Sequence, residues 1–214
     1  MDNCTNLNYH NVADAQYNAI VDSLYNQALH INSYDGWIAY QNSVSTDDYK
    51  DSEERLEATD NRWNTEINAW QTASKLDDLT SYEKYLSLFP HGKHMAQAEK
   101  KVIDLSVDAT FAGSHGTLPE MDHVGYAGGS TSYVSVTNST SYSLTLLYSG
   151  KESKRLVLSP NSTGSIRLKN GSYRIAASVN ASNVSRYAGT ESLNGGSYQV
   201  EYYISTSTAP SYRY

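Results

Sequence analysis

The chain has 214 residues, 39% of them apolar, with 16 Lys and Arg against 23 Asp and Glu, a net charge of −7. That length accommodates two domains of about 100 residues each. The acidic balance argues against nucleic acid as a partner, and no run approaches the roughly 18 apolar residues of a membrane-spanning helix.

Charge and pattern both change near residue 108. Residues 1–107 hold 8 Lys and Arg against 17 Asp and Glu, whereas residues 108–214 hold 8 against 6. Before the change apolar residues recur at helical spacing; after it they alternate with polar ones in short runs broken by Gly, Asn, Ser and Pro. Tyr occurs 19 times and Phe twice. Tyr pairs an apolar ring with a polar tip, so thin cores and large amphipathic surfaces are expected. The fold class that follows is α+β and multidomain, with a helical bundle over 9–107, a Gly-rich linker over 108–129, an antiparallel β-sandwich over 130–206 and a tail over 207–214.

Cys4 is the single cysteine, so no internal disulfide forms. It is followed by Thr5-Asn6-Leu7-Asn8, as at the head of a trimmed bacterial lipoprotein. The apolar residues that should precede such a cysteine are missing, so an incidental thiol is expected, with a lipid anchor at Cys4 as the alternative. No basic and apolar leader is visible, so no signal peptide is expected.

The first helix is predicted from Val12 to Leu29, capped by Asn11 or Asp14, with Tyr17, Ile20, Val21, Leu24, Ala28 and Leu29 on one stripe. A turn over Ser33–Gly36 leads to a short helix opened by Trp37 and Tyr40. Asp47-Asp48 then caps a helix of up to about 28 residues, on which Tyr49, Leu56, Trp63 and Trp70 fall at intervals of seven, supported by Ile67 and Ala73. Asp78 or Thr80 caps a helix over Ser81–Phe89, ended by Pro90. Lys93–Leu105 is the last helix, with Met95, Ala98, Val102 and Leu105 inward. The aromatics on these helices read as core knobs, or alternatively as a stripe (Trp37, Trp63 and Trp70) that grips a partner.

The stretch Tyr82-x-x-Tyr85-Leu86-x-x-Phe89-Pro90-x-Gly92-x-His94-x-x-x-Ala98 resembles the helix–turn–helix unit of tetratricopeptide-like repeats in bacterial envelope proteins, a resemblance over residues 34–105. Trp37, Tyr40 and Tyr49 stand 45 positions before Tyr82, Tyr85 and His94, as a weaker copy. The resemblance implies contact with other proteins, and stacked neighbours to bury the open ends.

In the second half, strands are predicted at Tyr133–Thr137, Tyr142–Tyr148, Arg155–Leu158, Ser165–Leu168, Tyr173–Val179 and Tyr198–Ser205, with an edge strand near Val184–Tyr187. Tyr142, Leu144 and Leu146 share a face, as do Tyr173, Ile175 and Ala177, and Val200, Tyr202 and Ile204. Asn170-Gly171 reads as the strongest hairpin signal in the chain. The run from Leu156 through Pro160, Ile166, Leu168 and Asn170-Gly171 to Tyr173 and Ile175 is similar to immunoglobulin-like sandwiches of bacterial surface proteins. That resemblance implies architecture over residues 130–206 and carries no reaction.

Residues able to do chemistry are sparse. His115, Glu120, Asp122 and His123 are metal-ligand types in one loop, at no zinc spacing. Paired acids such as Asp47-Asp48, Glu53-Glu54 and Asp77-Asp78 read as helix caps. Asn138, Asn161, Asn170, Asn180 and Asn183 each begin an Asn-x-Ser/Thr triplet, the glycan acceptor pattern. No phosphate loop and no nucleophile elbow is present.

The expectation is therefore a non-enzymatic, cofactor-free protein of the bacterial envelope or surface that binds other proteins, copies of itself included. The candidate binding residues are Trp37, Trp63, Trp70, Tyr202 and Tyr203. The alternatives are a self-assembling fibre or virion subunit exchanging terminal arms (residues 1–11 and 205–214), a carbohydrate-binding module using Tyr126, Tyr187, Tyr202 or Tyr203, and a metal-dependent hydrolase at His115 and His123.

Overall fold

A computed structural model describes residues 3–44, 52–125 and 129–204, with side chains over 12–44, 54–125 and 129–204. Among the described residues five helices come first: α1 (Asn3–Ile31), α2 (Tyr34–Ser43), α3 (Ser52–Leu76), α4 (Leu79–Leu88) and α5 (Met95–Ala112). Nine strands follow among the described residues: β1 (Gly116–Thr117), β2 (Asp122–Gly125), β3 (Thr131–Asn138), β4 (Leu144–Gly150), β5 (Ser153–Leu158), β6 (Ser162–Lys169), β7 (Gly171–Val179), β8 (Tyr187–Leu193) and β9 (Gly196–Tyr202). The chain is thus α+β, helices first. Among the described residues no helix is long and apolar enough to cross a membrane. Two compact units meet at Glu99/Lys100, inside α5.

In the helical unit a pair of helices occurs twice at a spacing of 45 residues. Helix α1 ends at Ile31 and α3 at Leu76; α2 spans Tyr34–Ser43 and α4 spans Leu79–Leu88. The junctions use the same device. Asn32 and Asp77 both take the left-handed conformation that stops the first helix (φ 51° and 49°), as short polar side chains can. Ser33 and Asp78 then cap the second helix, accepting from the amides of Gly36 and Ser81. Trp37 donates its indole N–H to Asn32, and Tyr82 donates its hydroxyl to Asp77. Tyr25 lies 6.0 and 5.1 Å from the rings of Trp37 and Tyr40; Trp70 lies 5.9 and 5.4 Å from those of Tyr82 and Tyr85. Ala28 and Ala73 are buried in corresponding places. The period exceeds the roughly 34 residues of a tetratricopeptide repeat because the first helix of each pair is long.

Several sequence expectations shift. Helix α1 starts at Asn3, ahead of the expected caps, so residues 3–11 of the proposed N-terminal arm are helical. Ile20 and Leu29 are exposed, and the buried line is Val21 and Ala28 beside Tyr17, Leu24 and Tyr25, because the short α2 covers only a narrow face. On α3 the buried line is Thr59, Glu66 and Ala73, with Leu56, Trp63 and Trp70 half-buried alongside. Those two lines lie three and four residues apart, the geometry of a helix seam; Ile67 faces out. Tyr49 and Asp47-Asp48 lie outside the described residues.

In the second unit two sheets face each other, ordered β1-β8-β7-β4-β5 and β2-β9-β3-β6. Their inner faces meet in one core that includes Val134, Val136, Leu144, Leu146, Tyr148, Leu168, Tyr173, Ile175, Leu193 and Val200. The sandwich is mixed rather than wholly antiparallel: β3 runs parallel to β9 and β1 parallel to β8. Asn170-Gly171 is not a hairpin. It carries the chain from β6 in one sheet to β7 in the other. The Asn170 side chain binds that corner by accepting from Ser132 and donating to the Gly129 carbonyl, both at 2.9 Å. The edge strand expected near Val184–Tyr187 is β8, which starts at Tyr187 and lies between β1 and β7.

The segment 108–129, expected as a Gly-rich loop, carries the end of α5 and strands β1 and β2. Within this unit α5 docks against the sheet: Asp104 accepts from Ser149 and Ser153, each at 2.6 Å, and Arg174 pairs with Asp108 while its guanidinium lies 4.2 Å from the Phe111 ring centre. Burial pushes the Asp104 carboxyl up, but hydrogen bonds from Lys100, Ser149 and Ser153 outweigh it and hold the group below its ordinary value.

Candidate functional site

The turn between α4 and α5 is built around one buried acid. Glu66, 3% exposed, accepts from the Tyr85 hydroxyl at 2.8 Å and from the Lys93 amide at 2.6 Å. The Tyr85 oxygen in turn accepts from the His94 amide at 3.1 Å. Burial, then the bond to Glu66, pushes the Tyr85 phenol above its ordinary range, so it stays a neutral donor. Gly92 is required by this packing. A Cβ there would stand 2.6 Å from the Glu66 carboxylate, 2.7 Å from the Tyr85 hydroxyl and 2.9 Å from the Phe89 Cβ.

This turn walls a groove of about 260 Å³ lined by Tyr34, Ile38, Gln41, Trp63, Glu66, Ile67, Lys93 and His94. The Tyr34 amide donates to the His91 carbonyl at 3.1 Å, fixing α2 against the turn. The Tyr34 and Trp63 rings meet edge-on at 4.7 Å, and His94 stacks flat on Trp70 at 4.4 Å. A second groove, about 340 Å³, runs between α3 and α4 and is lined by Ala69, Thr72, Leu76, Lys84, Tyr85 and Leu88, among others. Its rim residues Leu76 and Leu88 are 59% and 54% exposed, and Ile67 on the first groove is 44% exposed.

The sequence-predicted binding residues therefore separate. Trp63 lines the first groove, and Trp70 backs it through His94. Trp37 does not reach the surface: it is buried with Tyr40 and Val21 in the first repeat's core. Tyr202 is likewise a core residue of the sandwich, its hydroxyl buried without a hydrogen-bond partner among the described residues. Tyr203, next to it, is exposed and lines a cleft of about 210 Å³ with Thr117, Leu118, Pro119, Tyr187, Glu201 and Tyr202. Tyr126 lies outside the described residues. Ile67, Leu76 and Leu88 were not singled out from sequence as binding residues. For Ile67 and Leu88 the signal is a comparison of the two repeats position by position; Leu76 stands opposite Ile31, likewise apolar and exposed, and carries none.

The loop ligands do not assemble. His115 contacts the Gly116 carbonyl and the Phe111 ring, whereas His123 sits at Tyr198 and the Gly195 carbonyl. Among the described residues no three His, Cys, Asp or Glu side chains gather as a metal site. Asn138 is fully buried. Its amide donates to the Tyr142 and Ser159 carbonyls and accepts from Thr140, so no glycan fits there. The side chain of Cys4 lies outside the described ones.

Residues 126–205, which is 80 of the 214, match a family described as a domain of unknown function, DUF6759. The match covers β3 to β9 of the sandwich and stops short of β1 and β2. No curated protein and no solved structure matches the chain.

Proposed function

We propose that the chain is a non-enzymatic, protein-binding scaffold of the bacterial envelope or surface, and that its second helical repeat is the binding element. The observation that carries this reading is the pair of grooves on the second repeat, whose exposed Ile67 and Leu88 have polar counterparts in the first, although elsewhere the first exposes Ile20 and Leu29. The first has Asp22 ion-paired to Arg55 at 2.8 Å; the corresponding position of the second is Ile67, exposed on a groove. The first has Ser43, whose hydroxyl bonds back to the Ala39 carbonyl; the second has Leu88, exposed on the other groove. Exchanging satisfied polar groups for exposed apolar ones costs solubility, and contiguous exposed apolar surface marks interaction sites. Each groove fits one or two side chains of a docked segment. The tetratricopeptide-like and immunoglobulin-like resemblances support the envelope setting and the scaffold role.

A photo-crosslinking amino acid at position 67 or 88, introduced into the native cell, should yield the same defined adduct from both positions and none from Ser165 on β6. Equal, indiscriminate labelling from all three positions would end this reading. Fractionation of the same cells should place the chain with the envelope.

A carbohydrate-binding reading is favoured by the cleft at Tyr187 and Tyr203, where two exposed rings flank Glu201. Aromatic faces beside a carboxylate suit a sugar ring. A glycan array that responds to the native chain and falls silent for Tyr203→Ala would support it; a silent array for both removes it.

A further inference from the structure

The domain matched by the family begins at residue 126, yet in this chain both of its sheets are completed by the segment just before it. Strand β1 adds to β8 through Gly116 and Thr117, with the Gly116 amide donating to the Arg186 carbonyl at 2.9 Å. Strand β2 adds to β9 through Asp122, His123 and Gly125. Between them Leu118 turns into the core shared by the two sheets, and Met121 packs against it. Without residues 116–125 the consecutive strands β8 and β9 would both be free edges on the same side of the sandwich, each a template for another strand.

The acceptor side is shaped for this segment. A Cβ on Gly189 would press against Leu118 at 3.3 Å. Gly196, at φ +98°, lets the strap cross so closely that a Cβ there would meet the Gly125 carbonyl oxygen at 2.5 Å and the His123 ring at 2.7 Å. The hold is nonetheless short. Strand β1 has two residues, β2 is exposed along its length, and its register slips between His123 and Gly125. The Glu120 carboxylate of the strap repels Glu191 on β8, which burial already pushes up. The connection to β3 reads Gly125-Tyr126-Ala127-Gly128-Gly129-Ser130 in sequence, with Gly129 at φ +127°.

We propose that residues 116–125 form an exchangeable strap: the β8–β9 side of the domain is an acceptor filled either by the strap of its own chain or by that of a second copy. Exchange is reciprocal, because each copy gives the strap it lacks, so it closes as a dimer. The occupant is set by complementarity already in place, since the trans segment is identical to the cis one. The exchanged element is internal, unlike the terminal arms anticipated from sequence, and the inference is independent of the helical grooves.

The test uses full-length chain in a Cys4→Ser background. Asp122 and Gln199 are opposed across β2 and β9 and both are exposed, within reach of a disulfide. One pool carries Asp122→Cys, the other Gln199→Cys, so neither copy can close the bond internally. After mixing at high concentration and mild oxidation, the mixed disulfide dimer should form about tenfold more than with a Ser165→Cys pool on exposed β6, because exchange aligns only the first pair. Adding Leu118→Asp to the Asp122→Cys copy should abolish that excess. Equal yields from both pairings, or an excess insensitive to Leu118→Asp, would overturn the proposal.

Discussion

The two helical repeats share their helix ends, caps and buried aromatic pairs, and differ at one buried position and at several exposed ones. In the first, position 21 is Val, position 22 is an ion-paired Asp and position 43 is a Ser bonded to its own helix. In the second, the corresponding residues are a buried Glu66 that fastens the next turn, an exposed Ile67 and an exposed Leu88. The common part is what folding requires. The divergent part is a turn held by a buried acid with apolar grooves beside it, and it is there that we propose the binding surface.

The sharpest way to break that comparison is at Gly92, which serves the second repeat's turn alone. Gly92→Ala drives a methyl into Glu66, Tyr85 and Phe89 and should cost about 2 kcal/mol in chemical denaturation, in the range of overpacked sites. A cost near zero would show that the Glu66 turn yields easily and does not hold the groove.

The shared part makes a prediction of equality. Ser33→Ala and Asp78→Ala remove the same cap from corresponding helices, and each should lose about 1 kcal/mol. Unequal losses would mean that the junctions are alike in geometry only.

Asp104 on α5 is the acid that fastens this helix to the sheet through Ser149 and Ser153. Its lowered carboxyl pKa contributes stability that is fully present above the ordinary carboxylate value and is lost as pH falls through the folded value. Acid should therefore weaken the unit that starts at Lys100, and Asp104→Asn should flatten that part of the pH profile, read by denaturation at a series of pH values. An unchanged profile would remove Asp104 from the account.

The smallest expected change lies inside the sandwich. Tyr148 buries a hydroxyl with no hydrogen-bond partner among the described residues, and burial, then neighbouring Tyr202, pushes its ionisation up. Tyr148→Phe should therefore be neutral or stabilise by up to about 1 kcal/mol in a thermal melt.

The change of rhythm from helical to alternating was legible in sequence, and so were most elements. The 45-residue echo could be glimpsed from Trp37 and Tyr40, but its strongest marks are Asn32 with Asp77 and Ser33 with Asp78. These pairs share chemistry rather than identity, so a motif search passes over them. Glu66 drew no reading from the sequence, because a burial that depends on Tyr85 and a turn amide 27 residues away leaves no local trace. Asn170-Gly171 misled because the dipeptide specifies a sharp turn and not which sheet the chain enters next. Strands β1 and β2 were hidden by brevity: two and four residues cannot show an alternation.

The most direct test of a binding role for the second repeat is the mass of the chain in native preparations, measured by light scattering. The wild type should run in an assembly heavier than its own 23.7 kDa, and the Ile67→Asp/Leu88→Asp variant should lose that partner while melting at an unchanged temperature. Wild type and variant at the same mass would contradict the claim.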